Sequence, residues 1–195
     1  MAFFRRKSKR RTLEVRLNAR LLPMDRGELF EDPLDAHLSE RSLRAAVTGG
    51  GTSLSADGEP TSCDIELEMD GDEDRTALAR ATAEFLDSLG APRGSAVADV
   101  DGTVLVPFGV TEGLALYLNG TDLPAEVYAA SDTNEVVDAV NEALGDSGRM
   151  FSYWHGPEDT ALYLYGPDEE VMRARLTDLL ATRPDTMLSR LESIT

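Results

Sequence analysis

Leu13, Val15 and Leu17 alternate with Glu14, Arg16 and Asn18. A period of two predicts a strand with one face buried. The pattern then changes. Asp32 before Pro33 has the form of a helix start, with Leu34 and Leu38 on a common face. "AAVTGGGTSLS" (45–55) predicts a second strand, and "ADGEP" (56–60) the turn after it. In "SCDIELEMDG" (62–71), Cys63, Ile65, Leu67 and Met69 fall on one side and Asp64, Glu66, Glu68 and Asp70 on the other. A helical stripe follows in Leu78, Thr82, Phe85, Leu86 and Leu89, closed by Gly90 and Pro92. "SAVADV" (95–100) completes a β-α-β-β-α-β order.

The second half repeats that order. "GLALYLNG" (113–120) predicts a strand. Asp132 and Glu135 have capping-box spacing before a helix carrying Val136, Val137, Val140 and Leu144, which ends at Gly145. "RMFSYWHG" and "TALYLYG" predict a hairpin around "PED". Pro167 opens a helix with Val171, Met172, Leu176, Leu179 and Leu180 inward, and "TMLSRLESI" is the last strand. The stripe Leu78, Thr82, Phe85, Leu86 recurs 94 positions later as Met172, Leu176, Leu179, Leu180. Self-similarity at one offset points to tandem repetition. The expected fold is α+β: two tandem ferredoxin-like βαββαβ units with antiparallel sheets, related by a pseudo-twofold axis. The expected divisions are a basic flexible tail (1–11), a first unit (12–100), a joint (101–112) with room for an extra strand in "VLVPF", and a second unit (113–195).

"DRGELFEDPLD", "VTGGGTSLS", "SCDIELE", "GLALYLNGTDLPAEVY" and "SYWHGPEDTALYLYGP" resemble segments of a bacterial family of hypothetical proteins. The resemblance covers nearly the whole chain outside the basic tail. It implies a natural bacterial domain. No activity is established for that family, so the resemblance implies no catalytic residue.

Charge changes the picture more than composition does. The 195 residues carry a net charge of −17. Residues 1–11 hold six cations (Arg5, Arg6, Lys7, Lys9, Arg10, Arg11) and no acid, while thirteen arginines and no lysine face all 36 acids in the rest. So acidic a body repels phosphate backbones, which argues against nucleic-acid binding by the folded part. It suits a basic protein partner, a divalent ion, or solubility alone. The basic tail is suited to touching an anionic surface. One cysteine excludes an internal disulfide and a cysteine-based zinc cluster. No stretch reaches the ~18 apolar residues of a membrane span. Ala2, Phe3 and Phe4 are too few for the apolar core of a secretory signal. The expected location is the cytoplasm.

In a ferredoxin-like unit the helices cover one sheet face, and the other must pack or bind. On the first sheet that face carries Asp64, Glu66, Glu68 and Asp70, with Glu14 and Arg16 from the neighbouring strand. Like charges at alternate positions repel unless something neutralises them. On the second sheet the corresponding face carries Tyr117, Tyr163 and Tyr165, with Ala115 and Ala161. Tyr153 and His155, or Ser152 and Trp154, join them according to register. Packing on the first unit or on a twin subunit, as in a homodimer, competes with a partner surface there. Gly49, Gly50 and Gly51 interrupt a strand, which marks a bulge or a close approach by a backbone or ligand. No lysine follows them, so they do not form a phosphate loop. Cys63 falls on the apolar side of its strand, as a core thiol does.

No catalytic residue, metal ligand or cofactor emerges from these patterns. The leading expectation is a non-catalytic acidic binding protein that captures a basic partner, in its sharpest form an immunity or antitoxin protein. Two others stand beside it. One is an ACT-like regulatory module that binds a small molecule near "TGGG" and "LNGTDLP" (118–124). The other is a metal-dependent enzyme using Asp64, Glu66 or His155.

Overall fold

The computed structural model describes residues 10–194. Most of the basic tail, residues 1–9, therefore lies outside the described residues. The chain runs through β1 (Arg11–Leu17), α1 (Pro23–Arg26), a π-helical turn (Gly27–Glu31) and α2 (Asp32–Glu40). It continues with β2 (Ala45–Leu54), β3 (Pro60–Met69), α3 (Arg75–Ser88), β4 (Ser95–Asp99) and β5 (Val104–Phe108). The second half holds β6 (Glu112–Asn119), α4 (Ala125–Ala130), α5 (Thr133–Leu144) and β7 (Arg149–His155). It ends with β8 (Asp159–Gly166), α6 (Glu169–Thr182) and β9 (Arg190–Ser193). The architecture is α+β. Its two antiparallel sheets have the orders β2-β3-β1-β4-β5 and β7-β8-β6-β9. β5, from the "VLVPF" joint, adds to the edge of the first sheet, so the two halves keep separate sheets.

The helix expected at Asp32 starts earlier, at Pro23. Asp32 is already helical, and its side chain caps nothing. Pro33 lies inside the run, where its ring crowds the preceding turn and it has no N–H to give. The wider π-helical turn over Gly27–Glu31 provides the room. The other long helices start on aspartates. Asp74 accepts from the Thr76 and Ala77 N–H groups, Asp132 from Asn134, and Asp168 from Val171. Pro167 thus precedes the cap of α6 instead of opening the helix.

Two apolar clusters form. In the first, α2 (Leu34, Leu38) and α3 (Leu78, Ala79, Ala83, Leu86) pack on Leu13, Val15, Leu17, Cys63, Ile65, Leu67 and Met69. In the second, α5 and α6 pack on Leu114, Leu116, Leu118, Leu162 and Leu164. The opposite face of the second sheet does not stand alone. Ala115, Tyr117, Phe151, Ala161, Tyr163 and Tyr165 belong to the first cluster, with Leu21 and Phe30. One register shift in β7, between Met150 and Ser152, decides which of its residues join them. Ser152 lies opposite Tyr163 and Trp154 opposite Ala161, so Ser152 and Trp154 share the tyrosine face and Tyr153 does not. Among the described residues no helix is long and apolar enough to cross a membrane.

Candidate functional site

Packing on the first unit and a partner surface competed for the face of Tyr117, Tyr163 and Tyr165. The structure decides for packing and corrects their reading as partner-binding residues: all three are buried, Tyr163 completely, beneath the first half of the chain. A phenol is buried cheaply only when its hydroxyl finds a partner. Tyr117 and Tyr163 both donate to Glu59 Oε1, at 2.6 and 2.9 Å. Glu59 lies in the "ADGEP" turn of the first half, and Arg20 Nη1 donates to the same oxygen. Arg20 Nη1 also lies 3.0 Å from Tyr117 Oη. The Arg20 backbone N–H donates to Tyr165 Oη at 2.8 Å. The Arg190 guanidinium sits 4.0 Å above the Tyr117 ring. Beside this group Leu22 N–H donates to Ser152 Oγ, Ser152 Oγ donates to Asp25, and Phe151 packs between Phe30 and Tyr165. Burial, and then the hydrogen bond given to Glu59, push the Tyr117 phenol up to about 12. The same two causes raise Tyr163.

The corresponding face of the first sheet is different. β1 and β3 pair so that Glu14 lies opposite Glu66, Arg16 opposite Asp64 and Thr12 opposite Glu68. The helices occupy the other side. Neutralisation of the open face is partial. Arg16 pairs with Glu14 and Arg10 with Glu68, while Asp64 and Glu66 have no ion pair among the described residues. The hydrogen bond to Glu14 and the fields of Glu14 and Asp64 hold the Arg16 pKa above its ordinary value. Asp70 leaves this group. It lies past the end of β3, where it pairs with Arg44.

The three glycines divide between the two faces of β2. A Cβ on Gly49 would meet the Glu66 carboxylate at 3.6 Å, and one on Gly51 would meet Asp64 Oδ1 at 2.9 Å. A Cβ on Gly50 would come within 2.4 Å of the Asp64 carbonyl oxygen and 2.6 Å of Glu31 Oε1. Beside that carboxylate lies Arg26, whose Nε is 2.7 Å from Glu31 and whose Nη1 donates to Thr52. The close approach that the glycines signalled is therefore made by groups of this same chain.

The remaining candidates scatter. The Trp154 ring folds over Gly156 and is partly covered, while Tyr153 is 49% exposed. His155 Nδ1 lies 2.9 Å from Thr160 Oγ1 at the turn end of the hairpin. Burial pushes the Cys63 thiol up to about 12, with Arg26 opposing, so it stays a protonated core group. The "LNGTDLP" loop borders a cavity of about 200 Å³ with Tyr128, His155 and Asp185, but the glycine tract is not part of that lining. No group of three His, Cys, Asp or Glu side chains suited to a metal occurs among the described residues.

Arg20 and Glu59, which seal the two halves together, carried no sequence motif. A signal for them existed: three tyrosines on one buried face require acceptors, and a turn acid elsewhere can supply one.

No protein-family model matches this chain, and no curated protein matches it. Among solved structures, an unknown protein from Galdieria sulphuraria is 13% identical, with 95% of this chain and 98% of that one covered and a TM-score of 0.30. The regulatory subunit of aspartate kinase from Thermus flavus is 14% identical, with 88% and 94% covered and a TM-score of 0.28. Similarity at that level assigns neither fold family nor activity.

Proposed function

We propose that the chain is two versions of one ferredoxin-like βαββαβ unit, the second buried face-on against the first. We propose further that the open face of the first sheet captures a basic protein partner. The observation that carries the reading is the pair Asp64 and Glu66. They stand on an uncovered sheet face, with Glu14 and Glu68 beside them and too few cations among the described residues to match them. A partner that brings arginines or lysines relieves that repulsion and gains charge-assisted hydrogen bonds. An immunity or antitoxin role is the sharpest form of this reading. It also suits a body that repels nucleic acid.

Calorimetric titration of the full chain with an oligo-arginine peptide, at low and high salt, tests it. Affinity should fall as salt rises and fall again in Asp64→Asn/Glu66→Gln. Binding indifferent to salt and to that double substitution would overturn the reading.

A second reading has its own observation. The cavity beside "LNGTDLP" brings Asn119, Tyr128, His155 and Asp185 around about 200 Å³. That volume suits an amino-acid-sized ligand, as in an ACT-like regulatory module. A thermal-shift panel of amino acids and nucleotides separates the two: a shift from one class supports it, and a flat panel sinks it.

A further inference from the structure

Four strands end the two sheets: β2 and β5 in the first, β7 and β9 in the second. An edge strand leaves half its backbone N–H and C=O groups without a strand partner. Natural chains blunt such edges with proline, charge, bulges or brevity. β5 has five residues, Pro107 among them, and a register shift against β4. β9 has four residues, with Arg190 and Glu192. β7 holds Arg149 and a register shift. β2 has ten residues, no proline and no charged side chain. Its first half is guarded, because Asp35 of α2 accepts the Val47 N–H at 3.0 Å and a register shift follows. From Gly49 to Ser53 it pairs with β3 without interruption; a second register shift comes only at its last residue, Leu54, which is 58% exposed.

We infer that the Gly49–Leu54 stretch of β2 pairs, antiparallel across a two-fold axis, with the same stretch of a second copy of this chain. Two five-stranded sheets then become one of ten strands. The stretch reads Gly-Gly-Gly-Thr-Ser-Leu, so nothing in it repels its own copy within a chain of net charge −17. A two-fold contact needs one self-complementary patch, and an uncharged strand edge is such a patch. Asp35 of α2 stands at Val47, just outside the paired stretch. Within the sheet itself the nearest acids without an ion pair among the described residues are Asp64 in β3 and its mate. They would lie three strand spacings apart, about 14 Å from ~4.8 Å per strand. The Debye length is about 8 Å at physiological ionic strength, so their repulsion is screened. An axis normal to the sheet leaves both acidic faces on the same side. The pairing uses the strand edge and does not rest on the basic partner proposed for the face.

Sedimentation equilibrium of the full chain, over a range of concentration and salt, tests this. A monomer–dimer equilibrium should appear and tighten as salt rises, opposite in sign to the capture of a basic partner. Ser53 and Leu54 are both exposed, so Ser53→Glu/Leu54→Glu should keep its melting temperature. It should lower the association constant by about tenfold or more by setting like charges across the axis. Hydrogen exchange should slow at Gly50–Leu54 as concentration rises, and stay constant at Val47. A chain monomeric under every condition would overturn the inference. So would a dimer indifferent to the double variant, a dimer that protects another edge, or protection of β2 only when a basic peptide is added.

Discussion

β3 and β8 each lie beside the first strand of their half and alternate in the same way, yet their outward residues meet opposite surroundings. On β8, Ala161, Tyr163 and Tyr165 are sealed under the first half of the chain. On β3, Asp64, Glu66 and Glu68 face away from the helices with two arginines for company. The difference lies in what each side chain demands once water is removed. A tyrosine needs one acceptor for its hydroxyl and gains from the burial of its ring, so a single carboxylate at Glu59 satisfies two of them. Each buried carboxylate needs a cation and several donors, and the desolvation cost is large without them. A face of tyrosines can be closed by the chain's own turn. A face of acids stays open where the chain has too few cations of its own to close it.

The largest effect that can break this comparison comes from truncation on each face. Tyr163→Ala removes a fully buried ring and leaves Glu59 short of a donor. It should cost about 3–5 kcal/mol, the range for deleting a large core aromatic. Glu66→Ala on the open face should leave stability nearly unchanged. Urea unfolding midpoints of the two variants decide the matter, and similar losses would mean the faces do not differ as described.

Next in size is the seal itself. Glu59→Ala strands two phenols and a guanidinium together, and should cost about 2 kcal/mol through the donors left unsatisfied. The same cluster gives a pH dependence. An unfolded tyrosine ionises near 10. Burial and the bond to Glu59 push Tyr117 up to about 12 and raise Tyr163 as well, so the folded state favours the protonated phenol. Their contribution is fully present below pH 10 and is lost as pH rises from 10 towards 12. Unfolding midpoints measured up to pH 12 should show the decline, and Tyr117→Phe/Tyr163→Phe should make it shallower, the rest coming from the Tyr165 phenol and the Cys63 thiol, which burial also raises.

Alternation made β1, β3 and β8 legible, because each buries one face against helices and water or another layer meets the other. It named Tyr117, Tyr163 and Tyr165 as companions, but alternation says only which residues share a face, never what lies over it. The cover comes from Arg20 and Glu59, 39 positions apart and both outside the strands. The helix at Pro23 stayed hidden because Gly27 and Pro33 both read as breaks, and only the π-helical turn reconciles them. α4, at six residues, has no buried side chain and hence no apolar period to recognise. Which residues of β7 join the tyrosines hung on a single extra residue near Phe151, and no periodicity records such a shift.

The smallest effect sharpens the comparison within one strand. Neighbouring glycines of β2 face opposite sides, so alanine probes each side in turn. Gly50→Ala forces its methyl against the Asp64 carbonyl and the Glu31 carboxylate that Arg26 holds. Backbone cannot yield there, and overpacking of this kind costs about 1–3 kcal/mol. Gly49→Ala meets only the end of Glu66 at 3.6 Å, an ordinary contact beneath open solvent. With no strain to offset, the loss of freedom in the unfolded chain should stabilise it by about 0.5 kcal/mol. Gly51→Ala falls between them, since the Asp64 carboxylate it displaces can swing outward. Unfolding midpoints in the order Gly49→Ala, Gly51→Ala, Gly50→Ala, from highest to lowest, mark a strand crowded on its helix side and free on its acidic side. Equal costs at all three would mean that the acids are held as firmly as the Arg26–Glu31 pair, and that their face is not the open one.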